Sequence, residues 1–506
     1  MRQLWVWMLL MALVFVNDRC HCCLQEERSS LLEIKAWFMS HAAAESILLQ
    51  GWDKEDLNCC NWSRVACDST TSRVIELDLE DVNYGALEKD LYLNASLFLP
   101  FKELETLHLS FNQLVGGLKN QGFQALASVL RKLKILDLSD NKFNDSILSS
   151  LSGFSTLESL DLSFNSFTGT IGLNGLRKLE VLYLEATNFK ESILLDSLGG
   201  LPSLKTLHVG WNKLEGKHFG KGLCELKNLE WLYLGQNNLK GVLPPCLGNL
   251  SSLRYLDLSN NQFEGNIAFS HLSHLPQLEY LLISNNYFQV PISFVSFMNH
   301  SNLKYIECDN NELVPASSFH APAPKLQLRF FSASSCTSKL LSVEFPTFLY
   351  SQYDLVFVDL SHNKFVAEHF PSWLNFIMAN NSLTGCIPLC FGNMSSLKQL
   401  DLSNNHMSCE LLENNLPRGG SSLWYLKLSN NNFKGLLPPS VFNMTKLVYL
   451  FLDGNKFVGE VPGTFAPTLQ IVDISNNLLS GMLPRGIGNS SIDPIEGIDF
   501  SKNHFE

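Results

Sequence analysis

Cysteine and histidine are the side chains whose placement in this chain could do chemistry. Cys59, Cys60 and Cys67 stand close together with Trp52 and Trp62 in GWDKEDLNCCNWSRVACD. Tetrahedral zinc needs a second Cys or His pair at matching spacing, and the neighbouring sequence supplies none. The cluster therefore reads as a small disulfide-stapled unit of an oxidising compartment, not as a metal centre. GKHFGKG, Gly216 to Gly222, looks like a phosphate loop only superficially: three residues separate Gly216 from Gly220, and Gly222 stands where Ser or Thr would hold magnesium. It reads as an outward-facing loop. The 13 histidines are scattered, and His108 and His208 fall at exposed strand positions with no partner that spacing guarantees. No kinase catalytic loop, HExxH or GxSxG string occurs. No catalytic residue, metal or cofactor is expected, and an enzyme is disfavoured.

What organises the chain instead is a repeat. Residues 253–267 read LRYLDLSNNQFEGNI, in which Leu253, Leu256 and Leu258 set a short strand with alternate residues inward, followed by Asn261, Phe263 and a turn at Gly265. The frame returns at Leu104-Leu107-Leu109-Asn112, Leu133-Leu136-Leu138-Asn141, Leu157-Leu160-Leu162-Asn165, Leu229-Leu232-Leu234-Asn237 and Leu278-Leu281-Ile283-Asn286, and later copies carry Asn363, Asn405, Asn431, Asn455, Asn477 and Asn503. Neighbouring asparagines stand 24 apart (165 − 141) or 25 apart (237 − 212), inside the ~20–29 residue period of leucine-rich repeats. The predicted fold is a leucine-rich-repeat solenoid, an α/β horseshoe or superhelix with a parallel β-sheet on its concave face, holding about 18 repeats over residues 71–506. One such turn cannot bury its leucines alone, so stability comes from stacking. The asparagine amide, both donor and acceptor, suits a buried slot where the turn leaves backbone groups unpaired. Thr187 and Cys336 occupy that slot in their own coils, and a hydroxyl or thiol makes only part of the pattern, so those coils are expected to be weaker.

A solenoid core grows lengthwise, so 506 residues fit one long domain. With a net charge of −12 the chain lacks the basic surface that a nucleic-acid partner requires. Leu4 to Val16 is almost continuously apolar after Arg2 and ends at Asn17-Asp18-Arg19, so residues 1–22 read as a secretory signal, with cleavage placed near Cys20 to Cys23. No other apolar run reaches the ~18 residues of a membrane helix. Residues 23–70 form an N-terminal cap: in ERSSLLEIKAWFMSH, Leu31, Ile34 and Phe38 fall at helical spacing, and Ser30 with Glu33 has the form of a capping box.

Together the signal, the CLQEERSSLLEIK helix, the NCCNWSRVAC cap and a GxIP-like extension of the repeat resemble the ectodomain of a plant leucine-rich-repeat receptor-like protein. The extension is seen as LKGVLP at Leu239 to Pro244, LTGCIP at Leu383 to Pro388, FKGLLP at Phe433 to Pro438, FVGEVP at Phe457 to Pro462 and LSGMLP at Leu479 to Pro484. The resemblance covers nearly the whole chain. It implies a second short strand from each GxIP segment, a cap with Cys60 paired to Cys67 and Cys59 to Cys23, an extracellular peptide, protein or glycan ligand, and a co-receptor kinase partner at the plasma membrane. Two departures stand out. Asn363 and Asn381 are only 18 apart (381 − 363), too short for a full repeat, and GIDFSKNHFE stops inside a repeat. The island, further repeats, cysteine cap, acidic spacer and membrane helix of full members do not follow. An alternative reading is a soluble secreted inhibitor or decoy that binds a foreign cell-wall-degrading enzyme by the same face.

Asn-x-Ser/Thr acceptors at Asn61, Asn94, Asn144, Asn249, Asn299, Asn380, Asn393, Asn443 and Asn489 suit a secreted protein. Cys224 and Cys246 lie one coil apart, Cys308 and Cys336 occupy inward slots, and Cys386, Cys390 and Cys409 leave an odd count that spacing cannot pair. For ligand binding, the residue before the second leucine of each strand faces the concave side. In four consecutive repeats it is Trp231, Tyr255, Tyr280 and Tyr305, a row joined by Tyr233 and flanked by Trp211. Aromatics suit strands in any case, and Tyr425 and Tyr449 take the same slot later, but large rigid rings are also what binding hot spots use.

Overall fold

A computed structural model describes residues 23–40, 47–83, 91–116, 123–169, 172–189, 194–195, 198–216, 222–315, 325–366, 375–387, 389, 392, 397–417, 421–483 and 495–506. Residues 1–22, expected from the sequence to be a secretory signal, and most of the GKHFGKG loop, 217–221, lie outside the described residues. The chain divides into two compact units, Met1–Tyr233 and Leu234–Glu506.

The first unit opens with the helix Gln25–Met39, which buries Leu31, Ile34 and Phe38 completely on one face. The capping box expected at Ser30 and Glu33 is not formed. The helix starts at Gln25, so Ser30 lies inside it, and its hydroxyl donates to the Leu97 carbonyl instead. Glu27 is fully buried, accepts from Arg73 Nε at 2.7 Å and from the Val74 N–H at 3.2 Å, and so ties the helix to the first long strand. In the cap Cys23 is joined to Cys59 and Cys60 to Cys67. Trp52 stacks on Trp62 with centroids 5.8 Å apart. The strand Val65–Cys67 pairs antiparallel with Val74–Asp78. From there the strands Thr106–His108, Ile135–Asp137, Ser159–Asp161, Val181–Tyr183, Thr206–His208 and Trp231–Tyr233 add on in parallel, each through a buried central leucine.

The second unit repeats the plan. Tyr255–Asp257, Tyr280–Leu282, Tyr305–Glu307, Phe330–Ser332, Phe357–Asp359, Asn375–Ile377, Gln399–Asp401, Tyr425–Lys427, Tyr449–Phe451, Ile471–Asp473 and Gly497–Asp499 pair in parallel in that order. A second row follows the repeat's asparagine: Asn238–Gly241, Gln262–Asn266, Tyr287–Pro291 and Glu312–Val314, then Lys434–Leu436, Lys456–Gly459, Leu478–Gly481 and His504–Phe505. Stacked phenylalanines fill the space between coils, as at Phe263 and Phe288, 5.9 Å apart. Each fully buried Leu or Phe contributes roughly 1.5–3 kcal/mol.

The asparagine slot explains how the turns close. In Asn405 the Nδ2 donates to Met378 O of the preceding coil at 2.9 Å and to its own Leu402 and Ser403 carbonyls at 3.0 Å, while Oδ1 accepts the Leu383 N–H at 3.0 Å. The same pattern holds at Asn381, across the 18-residue step: it donates to Leu360 O at 2.8 Å and accepts from Phe365 N at 3.0 Å. The sheet register also passes through, Val358 opposite Phe376, so sheet and asparagine ladder both continue across the short step; residues 367–374 lie outside the described residues. Thr187 reaches only Leu184 O and Asn212 Oδ1 with its hydroxyl, both at 3.0 Å.

Candidate functional site

Strands of three residues put their first and third side chains on one face and the second in the core, so two parallel rows run along each concave face. In the second unit the first row carries an aromatic ring in five successive strands. Tyr255, Tyr280, Tyr305, Phe330 and Phe357 stand opposite one another in register. Their centroids are 5.7, 5.8, 4.0 and 4.7 Å apart in order, and the last two pairs lie nearly parallel. All five remain partly open to solvent, Tyr280 at 37%. Sequence reading named the three tyrosines and missed the two phenylalanines, because Phe331 and Val358 replace the leucine that marks the slot. A later aromatic group, Trp424, Tyr425, Tyr449 and Phe451, has Lys427 Nζ 5.7 Å from the Phe451 centroid.

Beside the five rings the second row runs Asp257, Leu282, Glu307, Ser332 and Asp359, three carboxylates in five. Tyr305 donates its hydroxyl to Glu307 Oε2 at 3.2 Å, and Ser284 Oγ donates to Oε1 at 3.2 Å. Burial, reinforced by the charge of Asp309, pushes the Glu307 carboxyl above its ordinary value, and burial does the same to Asp359. Burial and then Glu307 push Tyr305 up to about 12. Asp309 is held by Ser332 Oγ at 2.7 Å and the Ser334 N–H at 2.6 Å. The arrangement is an aromatic track edged with carboxylates, two of which burial holds above their ordinary range.

In the first unit Trp231 and Tyr233 share the concave face of one strand, opposite Thr206 and His208. Within the first unit, the first-row residues before Trp231 are Thr206 and Val181, neither aromatic. The second row is aromatic: His208 stacks on Tyr233 at 3.7 Å and lies 4.7 Å from Tyr183. His108 and His208, expected at exposed strand positions with no partner that spacing guarantees, are less exposed than that and do have partners. Both are half-buried, with Nδ1 3.4 Å from Asp137 Oδ2 and 2.9 Å from Glu185 Oε1, each carboxylate one coil earlier or later. The Asp137 hydrogen bond raises His108 above the usual imidazole value. Trp211 is not in a strand. It holds the left-handed turn position (φ 54°) just before Asn212 and is 67% exposed; Phe111 and Phe164 hold the equivalent positions, both 51% exposed. Left-handed backbone is unusual for aromatics, and in the second unit asparagines at 260, 285, 310, 404 and 430 take that slot instead.

With this geometry in hand, comparisons with known proteins are specific. Residues 137–368 match the model of the leucine-rich repeat region, residues 24–68 that of the leucine rich repeat N-terminal domain, and residues 422–444 and 468–490 the single leucine rich repeat. Receptor-like protein 14 of Arabidopsis thaliana is 32% identical over 494 residues, covering 89% of this chain and 49% of that protein. The chain is a leucine-rich-repeat protein of the plant receptor-like type. Among solved structures, the ectodomain of the Arabidopsis thaliana receptor kinase GASSHO1/SCHENGEN3, in complex with CASPARIAN STRIP INTEGRITY FACTOR 2, is 26% identical with a TM-score of 0.69 over 94% of this chain and 62% of that one. The plant peptide hormone receptor RGFR1, in complex with RGF2, is 26% identical with a TM-score of 0.61 over 88% and 72%. The chain spans about half the length of the curated relatives it matches, 60% and 49% of the first two.

Of the asparagines expected from the sequence to accept glycans, Asn61, Asn144, Asn249, Asn299 and Asn443 are exposed, and Asn94 is half-buried. Asn380 is a poorer acceptor on its surroundings: it is half-buried at a left-handed turn and its Nδ2 is 3.3 Å from His362 Nε2. Asn393 and Asn489 lie outside the described residues. Cys224 and Cys246 are both disulfide-bonded. Cys308 is a buried free thiol, and Cys336 a half-buried one in the asparagine slot, 3.5 Å from Cys308 O and 3.4 Å from Ser334 O.

Proposed function

We propose that the chain is a noncatalytic extracellular recognition module, reached through the secretory pathway, that binds an extended peptide segment along the aromatic row of the second unit. In the complete protein the bound state would be passed on through a co-receptor kinase at the plasma membrane. The observation that carries this is the five-ring row Tyr255 to Phe357, in register and partly open, where a monomeric sheet face would be expected to carry polar residues. Aromatic rings give large contact area at low entropy cost and tolerate an extended backbone laid across them. The carboxylates narrow the ligand. Glu307 and Asp359 have their pKa values raised, so an ammonium or guanidinium placed beside Tyr305 and Phe330 would compensate charge that the fold leaves strained. A basic peptide is favoured, and the ring faces add cation–π attraction. The ectodomains described above as bound to a peptide hormone or to an integrity factor support a ligand of this class.

Photocrosslinking tests the reading. The secreted chain, carrying a photoreactive phenylalanine in place of Tyr280 or of Tyr353, which lies outside the row and is 87% exposed, is irradiated with peptides of plant extracellular fluid. Capture at 280 and not at 353 supports the row. Equal capture at both, or capture at 353 alone, rejects it.

A further inference from the structure

Cys386 and Cys409 lie in successive coils of the second unit, at positions that the repeat brings face to face. Counted from the buried asparagine, Cys409 stands four residues after Asn405, in the slot that Gly265, Gly435, Gly459 and Gly481 fill in other coils. Cys386 stands five after Asn381, in the slot that Val242, Glu410, Leu436 and Glu460 fill. At the junctions that hold Gly265, Gly435, Gly459 and Gly481 these two slots meet. A Cβ on Gly265 would lie 3.0 Å from Val242 Cγ1 and 3.7 Å from its Cβ; one on Gly435 would lie 2.9 Å from Glu410 Cγ and 3.4 Å from its Cβ. On Gly459 it would meet Leu436 Cδ2 at 2.5 Å, and on Gly481 Glu460 Cγ at 2.8 Å. Crowding of this kind explains the glycine. At Gly265 the Cβ to Cβ separation, 3.7 Å, falls in the range that a disulfide bridges, about 3.5–4.5 Å, and at Gly435, 3.4 Å, it lies just below it.

At one junction both slots hold cysteine. The Ser408 N–H donates to the Gly385 carbonyl at 3.1 Å, which holds the two coils side by side, and burial and then the neighbouring Cys386 thiol push the Cys409 thiol up to about 12. Cys386 is exposed and Cys409 half-buried. The cap cysteines are oxidised, Cys23 with Cys59 and Cys60 with Cys67, as in proteins of an oxidising compartment, whereas Cys308 and Cys336, which also approach across a coil, are free thiols.

We propose that Cys386 and Cys409 form an inter-coil disulfide, a clamp one coil beyond the 18-residue step at Asn381. The oxidant is a protein or small-molecule disulfide. The Cys386 thiolate, having lost its proton to solvent, attacks one sulfur of that disulfide and releases the other as a thiol. Cys409 then loses its proton and attacks the Cys386 sulfur of the mixed disulfide, forming the Cys386–Cys409 bond and releasing the second thiol. Two electrons and two protons leave the pair, and the oxidant takes up both. The order follows from access, since Cys386 is the more exposed of the two.

The test uses the full secreted chain. Free thiols are alkylated under denaturing conditions without reduction, glycans are removed, and chymotrypsin, which cuts after Leu389, separates Cys386 from Cys390 before mass spectrometry. The expected result is a linked peptide pair holding Cys386 and Cys409 that parts on reduction. Alkylated Cys386 and Cys409, or Cys386 linked to Cys390, would overturn the proposal. A second measurement does not depend on mapping. Cys409→Gly restores the residue that other coils carry in that slot and is expected to fold. Maleimide should label Cys386 in folded Cys409→Gly at least about tenfold more than in the wild-type chain, as expected of a free, exposed thiol. Equal labelling of Cys386 in both would overturn it.

Discussion

Asn405→Ala removes four hydrogen bonds from the core of one turn. The three carbonyls it serves keep other partners: Met378 O accepts from Asn381, Leu402 O from Asn431 and Ser403 O from the Asn380 N–H. Each lost donation then costs only the net value of a hydrogen bond, about 1 kcal/mol. The Leu383 N–H is different, because Asn405 Oδ1 is its acceptor and Leu383 is fully buried, so stranding it adds about 1–3 kcal/mol. The expected destabilisation is about 4–6 kcal/mol, a large part of the 5–15 kcal/mol that holds ordinary domains. Asn405→Asp keeps the acceptor but turns an oxygen toward three carbonyls, and should cost at least as much near neutral pH. The reverse change sharpens the test: Thr187→Asn supplies the missing donors in a slot that is already fully buried and should stabilise by about 1 kcal/mol. Urea unfolding of the secreted chain, followed by circular dichroism, reads all three. A cost below about 1 kcal/mol for Asn405→Ala, or a destabilised Thr187→Asn, would refute the reasoning that the amide closes the turn.

Burial, with the charges of Asp137 and Glu185, pushes Asp161 up to about 6. An acid whose folded pKa is raised costs stability when it ionises, so this group's penalty is absent below about pH 4, grows between about 4 and 6 and is then constant. Asp161→Asn should flatten that part of the pH–stability curve and raise stability by about 2 kcal/mol at pH 7, checked by melts from pH 3.5 to pH 7.5; an unchanged curve counts against it. Glu27→Ala should cost about 2–3 kcal/mol by leaving Arg73 and the Val74 N–H without their carboxylate, and an apolar pair at both positions should recover most of it. Denaturation midpoints of the single and double variants decide this.

The solenoid was legible because its signal is local: leucines two and three residues apart, an asparagine three later, and a period near 24. Tyr255, Tyr280 and Tyr305 were legible for the same reason. What escaped were relations between coils. His108 with Asp137 and His208 with Glu185 pair across 29 and 23 residues, a separation that changes from coil to coil. Phe330 and Phe357 hid behind strands whose core residues are Phe331 and Val358. Ser30 looked like a helix start because the start actually used, at Gln25, has no side-chain cap. The contact between Cys386 and Cys409 was invisible for a further reason: it follows from a crowded glycine slot, which only the stacked coils reveal.

The central claim is that the aromatic row of the second unit is the ligand surface. A peptide retained from plant extracellular fluid by the immobilised wild-type chain is synthesised and titrated by calorimetry into wild-type protein and into the Tyr305→Ala, Phe330→Ala and double variants, each first shown to be secreted and to melt like wild type. Loss of about 2 kcal/mol or more in the double variant, roughly thirtyfold in Kd, is the predicted result, with a smaller loss in each single variant. Undiminished affinity in the folded double variant would contradict it.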